Sequence, residues 1–180
     1  VAAAVLLDYD RLGVVERRSL AGLDDSKRKT PEEREALYPA VVAAAERVVV
    51  TARCAAGIDA CGLHVTNLQA LADCLARVAV PGAKCLSDGF PLGSRCAVPH
   101  QPVVGGDSRS AAIAAASVVA KVTRDRYMRR AGIEYPGWDF GGNVGYSTPE
   151  HRDAISRTGI SDLHRRSFAS TAYSQLELGA

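Results

Sequence analysis

Residues Gly105 to Asp125 read GGDSRSAAIAAASVVAKVTRD, and the fold turns on this stretch. Two glycines open it and give the backbone conformations closed to other residues. Asp107 or Ser108 is expected to cap the helix that follows by accepting from its first free N–H groups. The body is Ala, Ile and Val with no helix breaker, which predicts a helix to about Arg130. Ser110, Ser117, Lys121 and Arg124 are 7, 4 and 3 residues apart, so they share one helical face. The alanines on the other faces allow close packing on a sheet. Two readings stay open at this point. One is a buried alanine-rich helix with a solvated basic end; the other is a carboxylate at a helix start beside a basic ladder that faces phosphate.

Before this stretch, Val1–Leu7 (VAAAVLL) reads as a strand buried on both faces. A loop follows, with Ser26 and Lys27 in an exposed segment. Thr30-Pro31-Glu32-Glu33 carries an N-cap, a proline at the first helical position and the glutamate of a capping box, which predicts a helix from Pro31 to Glu46. Arg47–Ala55 is rich in β-branched residues and reads as a strand. Ile58, Leu63, Leu68, Leu71 and Leu75 predict one helix over 58–78. Ala83–Leu86 reads as a short strand with Ser87-Asp88-Gly89 as its exit, and Pro102–Val104 as another. Asp88 is either a turn residue or a carboxylate held at the rim of an open sheet, where α/β sites lie.

After it, Tyr135–His151 is dense in aromatics and glycines and reads as an ordered loop. Thr148-Pro149-Glu150 starts a helix to about Arg157, and the last dozen residues are polar. Neither repeat nor linker is visible. The order of elements gives an α/β sheet domain, a single one over 1–180: sheet and helices to about 130, a C-terminal region over 131–168, and a tail over 169–180.

The chain has 180 residues, 47% hydrophobic and 23% charged, which suits one globular domain with a real core. A net charge of +2 does not announce a nucleic-acid binder, but the distribution is uneven. Lys121, Arg124, Arg126, Arg129 and Arg130 crowd ten residues against Asp125 alone, and His164-Arg165-Arg166 adds a second basic spot, a pattern that suits phosphate contacts and a solvated face equally. The five cysteines are odd in number and lack C-x2-C spacing, which argues for free thiols in the cytoplasm rather than zinc or a disulfide framework. No apolar run approaches a membrane span.

Asp25-Ser26-Lys27, Ser87-Asp88-Gly89, Gly106-Asp107, Ile113–Asp125 (IAAASVVAKVTRD), Gly145–His151 (GYSTPEH) and His164–Phe168 (HRRSF) occur in that order. Together they strongly resemble bacterial ribonuclease HII. The resemblance implies a ribonuclease H-like fold, a mixed sheet flanked by helices with a helical C-terminal region. It implies an endonuclease that cuts the RNA strand of RNA–DNA hybrids and nicks 5′ of ribonucleotides embedded in DNA, acting as a monomer. It also implies four carboxylates holding two Mg²⁺ or Mn²⁺ ions, hard cations that take oxygen ligands and serve in-line attack on a phosphodiester. Asp88 and Asp107 match the third and fourth carboxylates. Ser26 and Lys27 match a loop that approaches the substrate phosphate. Ser117, Lys121 and Arg124 belong to the helix facing the nucleic acid. Tyr146 matches the aromatic that packs on the ribose beside the scissile bond, where the 2′-hydroxyl distinguishes RNA from DNA.

Two departures stand out. The family's Asp-Glu-Ala-Gly-Arg-Gly strand, which supplies the first two carboxylates, is absent, and Val1 matches the residues just after it. In the family that strand lies centrally in the sheet. The 180 residues are therefore read as a truncated form of the enzyme, expected to be inactive by themselves, with two inner strand edges unpaired. The other departure is Asn143-Val144-Gly145-Tyr146, where the family usually has His-Lys-Gly-Tyr. A hybrid-binding remnant without catalysis and a ribonuclease HIII are the alternatives. A small-molecule phosphate enzyme built on Gly105-Gly106 is disfavoured by the missing G-K-[ST] of a P-loop.

Overall fold

The computed structural model describes residues 1–23 and 29–168. These cluster into two compact units. The first comprises Val1–Ala52 and His64–Thr123, the second Arg53–Leu63 and the residues from Arg124 onward.

In the first unit, strand β1 (Ala2–Leu6) leads into α1 (Val14–Leu20), then α2 (Pro31–Ala44) and β2 (Arg47–Thr51). The β1–β2 pair is antiparallel, with Ala2 opposite Thr51 and Leu6 opposite Arg47. Side chains alternate across a strand, and here both faces are covered. Ala3, Val5, Val48 and Val50 pack on Leu7, Leu12, Leu20, Val41, Ala115 and Val119. Ala4, Leu6 and Val49 pack on Leu68, Ala72, Leu75, Val78 and Leu92. The second group comes chiefly from one stripe of α4 (Leu63–Val78). Helix α2 starts as its sequence dictates: the Glu33 amide donates to Thr30 Oγ1 at 3.2 Å and the Thr30 amide to Glu33 Oε2 at 2.7 Å.

A second pair, β3 (Leu86–Asp88) and β4 (Gln101–Val103), runs parallel, with Asp88 opposite Val103. Among the described residues β1 pairs only with β2, and β3 only with β4. Residues of β1 and β3 line a common cleft of about 550 Å³, together with α4 and the first turns of α5 (Ala111–Glu134).

The second unit holds α3 (Ala55–Cys61), the later turns of α5, α6 (Phe140–Asn143) and α7 (Pro149–Thr158). Its core is aromatic. Phe140 is 1% exposed and lies within 6.3 Å, ring centre to ring centre, of Tyr135, Trp138, His151 and His164. The Trp138 indole donates to the Gly159 carbonyl at 2.8 Å, and the Asp59 carboxylate accepts from the Arg166 and Ser167 amides at 2.8 and 3.0 Å.

Four local expectations need correction. The stretch after β1 is not all loop; it contains α1, whose Val14 and Val15 face solvent and which buries only Leu20. The single helix expected over 58–78 is two helices, because Gly62 takes φ 80°, a left-handed conformation that ends the first. The strand expected over Ala83–Leu86 is Leu86–Asp88, so Asp88 ends the strand rather than following it. Asp107 and Ser108 do not cap α5. They lie in a 3-10 turn, Gly106–Ser108, and α5 begins only at Ala111, with Ser110 Oγ accepting from the Ile113 amide at 3.5 Å. The five cysteines are free thiols.

Candidate active site

Two parallel strands deliver the carboxylates. β3 ends at Asp88, and β4 ends just before Gly105, which adopts φ 62°. Their carboxyl ends thus point the same way, the edge of an α/β sheet at which sites form. The Gly106 amide donates to Asp88 Oδ1 at 2.9 Å, tying the turn that carries Asp107 to the end of β3. A larger residue there requires neighbouring side chains to move. A β-carbon on Gly106 would stand 2.5 Å from Cδ1 of Ile113 and 3.1 Å from Asp88 Oδ1. Asp88 is exposed and Asp107 is 6% exposed, so the first carboxylate faces solvent and the second is buried in the protein wall.

Asp88 also lines the cleft, with Ser110 just ahead of α5 and Ser117 and Lys121 on it. Spacing along the helix had grouped those three residues; the cleft adds Asp88, 22 positions before Ser110 in sequence. The donor chemistry here is carboxylate and hydroxyl oxygen, the kind that Mg²⁺ and Mn²⁺ accept. The donor number falls short of a metal site: among the described residues no three His, Cys, Asp or Glu side chains group to hold an ion. Asp88 and Asp107 would be two of its ligands.

Arg124 and Tyr146 lie in the second unit. The Arg124 guanidinium stacks 4.7 Å from the centre of the Tyr146 ring and pairs with Asp125 at 3.4 Å. Tyr146 is 58% exposed and presents its ring to solvent. Its turn is built by Asn143, which is 6% exposed. Asn143 Nδ2 donates to the Trp138 carbonyl at 2.7 Å, and its Oδ1 accepts from the Gly145 amide at 2.7 Å. Val144 is held at φ 43° and Gly145 at φ 77°. Ser26 and Lys27 lie outside the described residues.

The family model for ribonuclease HII matches residues 1–171. This chain belongs to the ribonuclease HII family. It is 44% identical over 169 residues to the ribonuclease HII of Geobacillus kaustophilus, covering 94% of this chain and 62% of that protein. It is 43% identical over 171 residues to that of Nocardia farcinica, covering 93% and 64%. The chain thus spans less than two thirds of the length of these ribonuclease HII relatives. In fold it is similar to the ribonuclease H2 of Pyrococcus horikoshii OT3, with a TM-score of 0.73 at 19% identity over 99% of this chain and 93% of that one. The RNase HII of Archaeoglobus fulgidus, solved in complex with PCNA, gives 0.70 at 23% identity over 91% and 82%. These establish the ribonuclease H-like α/β fold.

The sequence reading sets His164 in a basic spot and gives Asn143 and His151 no structural role; the fold instead buries all three in the segment that carries Tyr146, so His164 is no part of a basic surface. Asn143, His151 and His164 are each less than 10% exposed and hydrogen-bonded. A polar side chain inside an aromatic-rich segment was the available signal, since such groups are buried only with partners.

Proposed function

We propose that this chain is the body of an endoribonuclease acting on the RNA strand of RNA–DNA hybrids and 5′ of single ribonucleotides in DNA. Asp88 and Asp107 supply two of its metal carboxylates. One observation carries the reading: the Gly106–Asp88 hydrogen bond, which ties the Asp107 turn to the end of β3 in a chain of this family. When bound, a pair of divalent ions would activate water and stabilise the leaving oxygen. Lys121 and Ser117 offer a cation and a hydroxyl to phosphate. Tyr146 offers an exposed ring to a ribose or base, with Arg124 fixing its tilt. Ser26 and Lys27 would approach the scissile phosphate. The protein works in the cytoplasm as a monomer, and Mg²⁺ or Mn²⁺ is its cofactor.

Among the described residues no third carboxylate joins Asp88 and Asp107 in a metal-holding group, which favours a second reading: hybrid binding without cleavage. A labelled DNA duplex with one ribonucleotide separates the two. Incubated with Mn²⁺ or Mg²⁺, the 180-residue chain should bind in a salt-sensitive manner and leave the duplex intact. Adding the family's Asp-Glu-Ala-Gly-Arg-Gly strand ahead of Val1 should yield a nick 5′ of the ribonucleotide, abolished by Asp88→Asn. Nicking that survives Asp88→Asn overturns the site assignment, and absence of binding at low salt by folded protein overturns both readings.

A further inference from the structure

His151 and His164 are buried against each other, 4% and 8% exposed, with their Nε2 atoms 3.1 Å apart. Neither belongs to the carboxylate site. Their outer nitrogens decide which way the proton between them points. His151 Nδ1 lies 2.8 Å from the Tyr146 carbonyl oxygen, which only accepts, so Nδ1 carries the hydrogen. In the neutral ring Nε2 is then the acceptor. His164 Nδ1 lies 2.9 Å from the Ser161 amide, which only donates, so Nδ1 is the acceptor and Nε2 carries the hydrogen. The two assignments are complementary. A single directed chain runs from the Ser161 amide through His164 and His151 to the Tyr146 carbonyl, with both rings neutral. Burial, and then the neighbouring His151, push the His164 pKa down to about 4, which agrees with a neutral ring.

The chain ends on a particular backbone oxygen. The Tyr146 carbonyl also accepts from the Thr148 amide at 2.9 Å, while the Tyr146 amide donates to the Asn143 carbonyl at 2.9 Å. The peptide on each side of Tyr146 is therefore fixed. Gly145 precedes it at φ 77°, and the freedom of a glycine backbone would otherwise let the ring swing. We infer that the His151–His164 pair is a positioning device, which locks the backbone at Tyr146 so that its exposed ring is held ready for the nucleic acid. His151 acts through the Tyr146 carbonyl and touches no substrate.

The inference rests on the reading of Tyr146 as a substrate contact, and the experiment separates the two. Binding of a fluorescent RNA–DNA hybrid to the folded chain is compared for the parent, Tyr146→Ala, His151→Ala and His151→Asn. In His151→Asn the amide NH2 can replace the Nδ1–H donor to the carbonyl. His151→Ala should weaken binding on the order of 10-fold, approaching Tyr146→Ala, and His151→Asn should restore most of it, as one positioned aromatic stack is worth ~1–3 kcal/mol. If Tyr146→Ala binds like the parent, the substrate-contact reading fails and takes the inference with it. If Tyr146→Ala is weak but His151→Ala binds like the parent, the positioning role alone fails. Should the variants not fold, ¹⁵N–¹H spectra of the parent still decide. The expected signature is a Nδ1–H tautomer for His151 and a Nε2–H tautomer for His164; the opposite tautomers, or a charged pair at neutral pH, overturn the inference.

Discussion

Gly106→Ala tests the close approach that unites the two carboxylates. The added methyl would meet Ile113 Cδ1 at 2.5 Å and Cγ2 at 3.2 Å, and Asp88 Oδ1 at 3.1 Å. Carbon–carbon contacts are optimal near ~3.5–4.0 Å, so something must retreat by about 1 Å. Ile113 is 8% exposed and lines the cleft, so its side chain must turn toward that opening and give up packing to admit the methyl. Gly106 does not have a positive φ, so the cost is steric rather than conformational. Overpacking of this kind costs about 1–3 kcal/mol. Stiffening of the unfolded chain returns about 0.4–1 kcal/mol. The net expectation is a loss of roughly 1–2 kcal/mol, or about 2–8 °C in Tm for a chain of this length. Ile113→Val removes the atom of the worst clash, and by itself costs about 0.5–1.5 kcal/mol. The double variant should therefore be more stable than the sum of the singles predicts, by about 1 kcal/mol. Urea unfolding at unchanged m-value measures all three. A neutral Gly106→Ala, or strict additivity in the double variant, would refute the reasoning.

Three further outcomes follow from the geometry. His164 is held at a pKa of about 4 against an ordinary 6.5, so the unfolded state binds its proton first and stability falls as pH drops from about 6.5 to 4. The loss is roughly 3 kcal/mol by the end of that window, and His164→Gln should flatten the slope when denaturant midpoints are followed against pH; an unchanged slope contradicts it. Val144 sits at φ 43°, where a β-branched residue is strained, so Val144→Asn should raise stability by about 1 kcal/mol in a urea titration, and a loss would speak against that strain. Thr30→Ala removes half of a complete capping box and should cost about 1 kcal/mol, read from the same titration; no change would mean that water replaces the cap.

The sequence by itself determined what depends on neighbours along the chain. The capping box at Thr30 and Glu33, the unbroken run that makes α5, the apolar strand β1 and the Thr148 cap of α7 are all local patterns, and local hydrogen bonds and periodicity settle them; the full burial expected of β1 is not seen, since four of its five residues stay partly exposed. The family was legible too, since its motifs are contiguous. What failed at sequence level was decided by competition with distant groups. Asp107 is shaped like an N-cap, but the preceding Gly106 amide is taken by Asp88, 18 positions earlier, and the turn tightens before the helix can start. α1 was missed because it buries a single leucine, too little to print a period on the sequence. The cleft needs β1 and β3, which are 80 positions apart at their nearest ends, from Leu6 to Leu86. The His151–His164 pair was invisible for the same reason: two histidines 13 residues apart carry no shared pattern. Only the packing of Phe140 and Trp138 around them brings their nitrogens to hydrogen-bonding distance, and the outer partners of the two rings then direct the pair at Tyr146.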